Sequence, residues 1–460
     1  MRSINIKKIS FLLGPLFYLL IQTMPIENLS DSGKAVLAGT VWIAFWWITE
    51  TVDLVITSLL PIVIFPLSGA LTIGETTSSY GNPFIFLFLG GFIMGIAIEH
   101  WNLHKRIAYK IIQIIGTDEK RILLGLMLAT AFLSMWISNT ATTIMMLPVG
   151  LSVIGHFNAD SSFSKNILLG IAYASSIGGI ATLIGTPPNI ILAGVLKENL
   201  GMEISFLKWM IFALPLAIGL FFITYKLLIR KQKTSSVRTF EVEDMGEISL
   251  AEKRILYIVG GAAFFWITRS FIWNYWLPFL DDTIIAIGGA ILMLVVPSGV
   301  KDKKLISWES ADKIPWNVLI LFGAGLAIAK GFSSTDLTDW LGSGFANLEA
   351  LPNFFIVIFI LISINFLTEI TSNTATASIL LPILITLSIS LNIETGSLLA
   401  GAALASSCAF MLPVATPPNA IVFSSGKLKI KDMMKAGILL NLISTFLIYL
   451  SVSFLWKLIF

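Results

Sequence analysis

Charge is scarce in this chain. Only 12% of its 460 residues are Asp, Glu, Lys or Arg, while 56% are hydrophobic. A soluble domain of this length needs a far more charged surface, so the composition excludes one. The net charge of +3 gives no reason to expect a nucleic-acid partner. Cysteine is rarer still: Cys408 stands alone, which excludes an intramolecular disulfide. Only three histidines occur, His100, His104 and His156, and no His-Glu-x-x-His pattern holds a zinc ion. Neither a paired set of membrane aspartates nor a Ser-His dyad is found where an intramembrane hydrolase would need it. The chain is therefore expected to be no enzyme and to carry no cofactor.

What it has is long apolar blocks, and a mean hydropathy of +0.87. Many blocks reach the roughly 20 residues that cross a hydrocarbon core. The chain reads as an all-α polytopic membrane protein embedded in a lipid bilayer. Arg2, Lys7 and Lys8 precede an apolar run that resembles a secretory leader. No small-residue cleavage site follows Leu20, so a retained first span is expected. Two pairs of blocks are too short and too tightly joined for separate crossings. These lie over 122–156 and 354–391, and each is expected to be a re-entrant hairpin with its turn near the midplane. Eleven transmembrane helices remain. With the N-terminus cytoplasmic and the C-terminus outside, 24 of the 30 Lys and Arg residues fall on cytoplasmic segments. The compact chain fits a bacterial inner membrane.

Self-similarity is the most informative feature. Ser138-Asn139-Thr140-Ala141-Thr142, followed by Leu147-Pro148, recurs 234 residues later as Ser372-Asn373-Thr374-Ala375-Thr376 with Leu381-Pro382. Ala-Ser-Ser at 174–176 recurs at 405–407, and Thr186-Pro187-Pro188-Asn189 recurs as Thr416-Pro417-Pro418-Asn419. Five crossings separate the copies, so they have opposite orientation, as in the inverted repeats of secondary transporters. The expected layout has a first span and outer loop over 1–34, then a first repeat over 35–229. A polar cytoplasmic linker over 230–252 leads into a second repeat over 253–460. Broken helices are expected at 185–189 and 415–419.

The chemistry of the repeat is specific. Each return arm starts at Asn139 or Asn373, where unpaired N–H groups and the helix dipole attract a carboxylate. Two such ends approaching one another suit a substrate with two carboxylates. The paired prolines cannot donate, so the carbonyls of Leu183 and Ile184, and of Pro413 and Val414, are expected to lose their helical partners. Free carbonyls suit a hard cation such as Na⁺. Apart from Lys330 near one span end, no Lys or Arg is expected beside the motifs. A buried dianion then needs bound cations for compensation.

These doubled motifs resemble the divalent anion/sodium symporter family over essentially the whole chain. The resemblance implies sodium-coupled symport of a C4-dicarboxylate such as succinate. A sodium-independent exchanger, or a citrate or sulfate symporter of the same family, is the alternative; a channel is a further one. It implies substrate contacts from Asn139, Thr140, Asn373 and Thr374, with Thr186 and Thr416 nearby. It also implies one sodium site at Ser134, Ser138, Asn139 and the backbone of Gly185. A second would use Thr368, Ser372, Asn373 and the backbone of Ala415. Ser134 and Thr368 are themselves related by the 234-residue offset. A homodimer and an elevator-type shift of a transport domain are further implications. Two positions break the symmetry: Ala415 replaces Gly185, and Glu369 stands where the first copy has Met135. Glu369 is read as a carboxylate hydrogen-bonded on a hairpin arm, or as one that tunes the second cation site.

Overall fold

The computed structural model describes residues 2–157, 161–230, 245–345 and 351–460. Among them the regular structure is helical, apart from an isolated bridge between Pro297 and Lys304. Most of the expected linker, 231–244, lies outside the described residues.

Among the described residues, six helices are long and apolar enough to cross a membrane: Ile73–His100, Phe206–Ile229, Leu250–Trp276, Trp316–Ser334, Asn373–Ser390 and Ile430–Ile459. Four shorter apolar helices cover Lys8–Thr23, Leu54–Leu67, Asp282–Val295 and Asn353–Leu367. The spans are short where the chain breaks its own helices, and it does so at related places. The first hairpin has an outer arm, Glu119–Ser134, and a return arm, Asn139–His156. The second has Asn353–Leu367 and Asn373–Ser390. Each is followed by a helix in two limbs: Ser161–Ile180 with Pro187–Leu200, and Thr395–Ser407 with Pro417–Phe423.

The breaks begin before the expected segments and share only 185–186 and 415–416 with them, for a physical reason. Pro187 and Pro417 occupy the first position of the second limb, where no N–H is needed. The prolines therefore begin helices, and the unwound stretches are 181–186 and 408–416.

The copies interlock. The return arm Asn139–His156 packs on Pro417–Phe423 of the second copy, and Asn373–Ser390 packs on Pro187–Leu200 of the first. The first limb Ser161–Ile180 also meets Pro417–Phe423, and Thr395–Ser407 meets Pro187–Leu200.

Polar ties gather the loops into two sets. In one, Arg106 pairs with Glu252 at 2.7 Å and donates to the carbonyls of Met245, Gly246 and Glu247. Trp101 donates to Leu305 O at 2.7 Å, Arg254 to Pro297 O, and Tyr225 to Lys120 O. Lys165 meets Asp432 at 3.0 Å. All of these segments are rich in Lys and Arg. The other set is poorer in them: Asp336 accepts from Ser30 N at 2.8 Å, and Asn82 donates to Glu198 at 2.9 Å. There too Arg269 pairs with Glu203 and Asp282. The bonds from Ser30 hold the Asp336 carboxyl below the usual carboxylate range.

Candidate functional site

Both Ser-Asn-Thr segments open helices, as their sequence predicts. Ser138 is the N-cap of the first return arm, and its Oγ accepts from Ala141 N at 3.3 Å. Ser372 holds the same place in extended backbone without a side-chain cap bond. The remaining first-turn N–H groups of both arms lack intrahelical acceptors. Thr140 and Thr374 are half-buried in these first turns.

Around each asparagine lies a cluster of oxygens. The Asn139 carboxamide oxygen lies 2.7 Å from Ser134 Oγ and 3.2 Å from each of the carbonyls of Ser175 and Gly185. Turned end for end, the carboxamide donates from its nitrogen to Ser134 Oγ, Gly185 O and Ser175 O and satisfies all three when no ion is bound. A cation between the four oxygens would satisfy them without any turn. Ser175 Oγ also donates to Asn139 O at 2.8 Å. The second copy keeps the pairing of hydroxyl and asparagine and adds one carbonyl. Thr368 Oγ1 lies 2.7 Å from Asn373 Oδ1 and 2.9 Å from Ser406 O. One hydroxyl proton cannot serve both acceptors. Such sets of neutral oxygens, two from side chains and the rest from carbonyls, match the donor preference of a hard monovalent cation.

The first break reaches its cluster through the Gly185 carbonyl. Thr186 and Thr416 are buried N-caps of the second limbs, and Thr416 Oγ1 accepts from Asn419 N at 3.2 Å. Among the described residues, Thr140, Thr374 and Thr186 have no side-chain hydrogen bond, so their hydroxyls are uncommitted. Ala415 is buried beside Thr416, as Gly185 is beside Thr186. Glu369 is only 3% exposed and fully engaged. It accepts from Phe410 N at 2.8 Å, from Met411 N and Leu412 N at 2.9 Å, and from Asn441 Nδ2 at 2.7 Å. The first of its two sequence readings, a hydrogen-bonded carboxylate on a hairpin arm, is the one this geometry bears out.

Sequence reasoning missed Ser175 and Ser406. The shared Ala-Ser-Ser was visible, but a role played through a backbone carbonyl has no side-chain signature. It also missed Asn441, which lies 72 residues from Glu369 and outside the paired motifs.

Paired helix–turn–helix segments beside two interlocked, broken helices, with oxygen clusters at the turns, mark the class of secondary membrane transporters. Comparison with known proteins narrows this. Residues 6–460 match the family model described as the sodium:sulfate symporter transmembrane region. The chain belongs to this family, as the doubled motifs had suggested. It is 44% identical to the sodium-dependent dicarboxylate transporter SdcS of Staphylococcus saprophyticus, covering 99% of this chain and 92% of that protein. Against SdcS of Staphylococcus aureus the identity is 45%, over 98% of this chain and 91% of the relative. Among solved structures, the YdaH transporter of Alcanivorax borkumensis aligns with a TM-score of 0.58 at 13% identity, over 83% of this chain and 87% of that one. MtrF of Neisseria gonorrhoeae aligns at 0.54 and 12% identity, covering 83% of both chains. At these identities the two structures share the fold alone.

Proposed function

We propose that the chain couples the entry of sodium ions to the uptake of a C4-dicarboxylate across a bacterial inner membrane. The observation that carries this is the pair of oxygen clusters at Ser134–Asn139 and Thr368–Asn373, built by equivalent residues at two helix openings. In each, neutral oxygens take a cation, and the adjacent helix N-terminus takes a carboxylate. Asn139, Thr140, Asn373 and Thr374 bind the dianion, with Thr186 and Thr416 beside it. Ser134, Ser138, Asn139 and the Gly185 carbonyl hold one sodium ion; Thr368, Ser372, Asn373 and the Ala415 carbonyl hold the other. Ser138 can do this while capping Ala141, because its oxygen has a second lone pair. Coupling follows from charge: the substrate meets no fixed cation, so sodium must lower the potential first.

The architecture that serves this has eleven crossings and two re-entrant hairpins, with the N-terminus inside and the C-terminus outside. The inverted halves cover 35–229 and 253–460, joined through 230–252 and preceded by 1–34. The hairpins and broken helices shift as one body against the remaining helices in an elevator-type motion within a homodimer. Relatives named as sodium-dependent dicarboxylate transporters support the substrate class, and the family description makes sulfate the competing anion.

The deciding experiment is uptake of labelled succinate by proteoliposomes. Uptake should require an inward Na⁺ gradient and fall by about 100-fold in Asn139→Ala and Asn373→Ala, the loss expected when a charged ligand loses its built donors. Uptake that persists without Na⁺, or counterflow of equal rate without it, would make the protein an exchanger.

A further inference from the structure

Unwinding a helix inside a bilayer strands carbonyls that water cannot reach. Both breaks meet this problem with the same side chain. Asn189 is fully buried, and its Nδ2 lies 2.7 Å from Thr182 O, 3.2 Å from Gly179 O and 3.4 Å from Ile180 O. Asn419 is also fully buried, with Nδ2 3.0 Å from Leu412 O and 3.3 Å from Ala409 O. The reach is identical: each asparagine turns back to the carbonyls seven and ten residues before it. The residues it holds differ between copies, Gly179 against Ala409 and Thr182 against Leu412. Only the backbone and the amide are common to both.

In the first copy these bonds lead straight to the oxygen cluster. A Cβ on Gly179 would run into the Asn139 carboxamide, and one on Gly185 would run into the Gly179 carbonyl. Gly179 is therefore wedged between two members of the cluster, and Asn189 fixes its carbonyl. The amide also sorts the carbonyls of the break. Those of residues 179, 180 and 182 are occupied, the second additionally by Trp209 Nε1 at 3.0 Å. The Gly185 carbonyl is left facing Asn139. A carboxamide suits the task, since it brings two protons and no charge. A Lys or Arg would set a positive charge beside the cation, and a hydroxyl has only one proton to give.

We propose that Asn189 and Asn419 are positioning residues for the two cation sites. Each holds its unwound stretch so that the carbonyl four residues before it, at Gly185 or Ala415, faces the hairpin asparagine. Neither touches ion or substrate. This rests on the sodium-coupled reading above, and the two can fail separately.

The test uses purified full-length protein in proteoliposomes, with Asn189→Ala, Asn419→Ala and the milder Asn189→Ser and Asn419→Ser. Sodium activation of succinate uptake is measured at saturating succinate, and the sodium-induced rise in Tm is followed in parallel. Each Ala variant should need about tenfold more sodium for half-activation, equivalent to about 1.4 kcal/mol. The succinate KM at saturating sodium should stay within about twofold, and the Ser variants should fall between. Sodium half-activation unchanged in all variants, with losses confined to Tm or maximal rate, would reduce the asparagines to packing residues. Failure of all four to fold would likewise assign the amide to the fold and overturn the proposal. A wild-type protein indifferent to sodium would instead sink the proposed function.

Discussion

The two copies of the break have solved one problem by opposite means. The first is close-packed. Its leading limb runs on to Ile180, and Gly178 lets the backbone meet the Ala131 carbonyl so closely that a Cβ would collide. Thr182 Oγ1 closes the arrangement by donating to Met135 O at 2.5 Å. In the second copy the leading limb stops at Ser407, about one turn earlier by the register of the asparagines. Cys408 and Ala409 stand for Gly178 and Gly179, so backbones cannot approach as closely. The shortened helix strands the N–H groups of Phe410, Met411 and Leu412, and Glu369 takes all three. Asn365, in the place of Ala131, bridges the wider gap with a 2.7 Å bond to Cys408 O. Backbone contact and buried polar bridging are thus interchangeable ways to hold an unwound stretch. A duplicated chain can drift from one to the other while each turn keeps its pair of hydroxyl and asparagine.

This contrast can be broken at named positions. Glu369→Leu should do the most damage, because it orphans the N–H groups of Met411 and Leu412 and the Asn441 amide, and leaves Phe410 N only its 3.2 Å bond to Asn441 Oδ1. A loss of about 3 to 5 kcal/mol is expected, read as a fall in Tm or in the yield of folded protein. Met135→Leu at the equivalent site should cost less than about 1.5 kcal/mol; equal losses at both would erase the distinction. Next comes Gly178→Ala, which forces a methyl group against backbone and should cost about 2 to 3 kcal/mol by the same measure. Its mirror, Cys408→Gly, removes a small buried thiol and adds chain flexibility, and about 1 to 2 kcal/mol is expected. Asn365→Ala should be milder than either of the two severe changes, about 1 to 2 kcal/mol for one buried bond. The smallest effect is expected from Lys165→Met. Its partner Asp432 is partly solvated, so the change should cost no more than about 1 kcal/mol and vanish in high salt. A Lys165→Met loss larger than that of Asn365→Ala would shift weight from the buried bridges to the surface pair.

The turns were legible because a costly residue pattern occurred twice between apolar arms. Asn139 and Asn373 open their helices where the sequence placed them. The breaks were legible as features but set a few residues too late. Proline was read as the breaker, whereas Pro187 and Pro417 start the limb that follows. What unwinds the chain earlier is tertiary: Asn189, Asn419 and Glu369 offer the backbone partners other than its own helix. Glu369 stood out in the sequence as an asymmetry, yet its partners at 410–412 lie some forty residues away and act through N–H groups that any residue but proline has. Ser175 and Ser406 were visible as repeats, and their carbonyls were not.

The crossed packing of the halves has a consequence for how the molecule is made. Asn139–His156 finds its neighbour in Pro417–Phe423, which leaves the ribosome far later. Until then the early half must wait in the bilayer with a polar turn uncovered, shielded by lipid headgroups, water or an insertase. Assembly should therefore be a late, all-or-none closure, and a chain truncated before residue 417 should be degraded rather than stored.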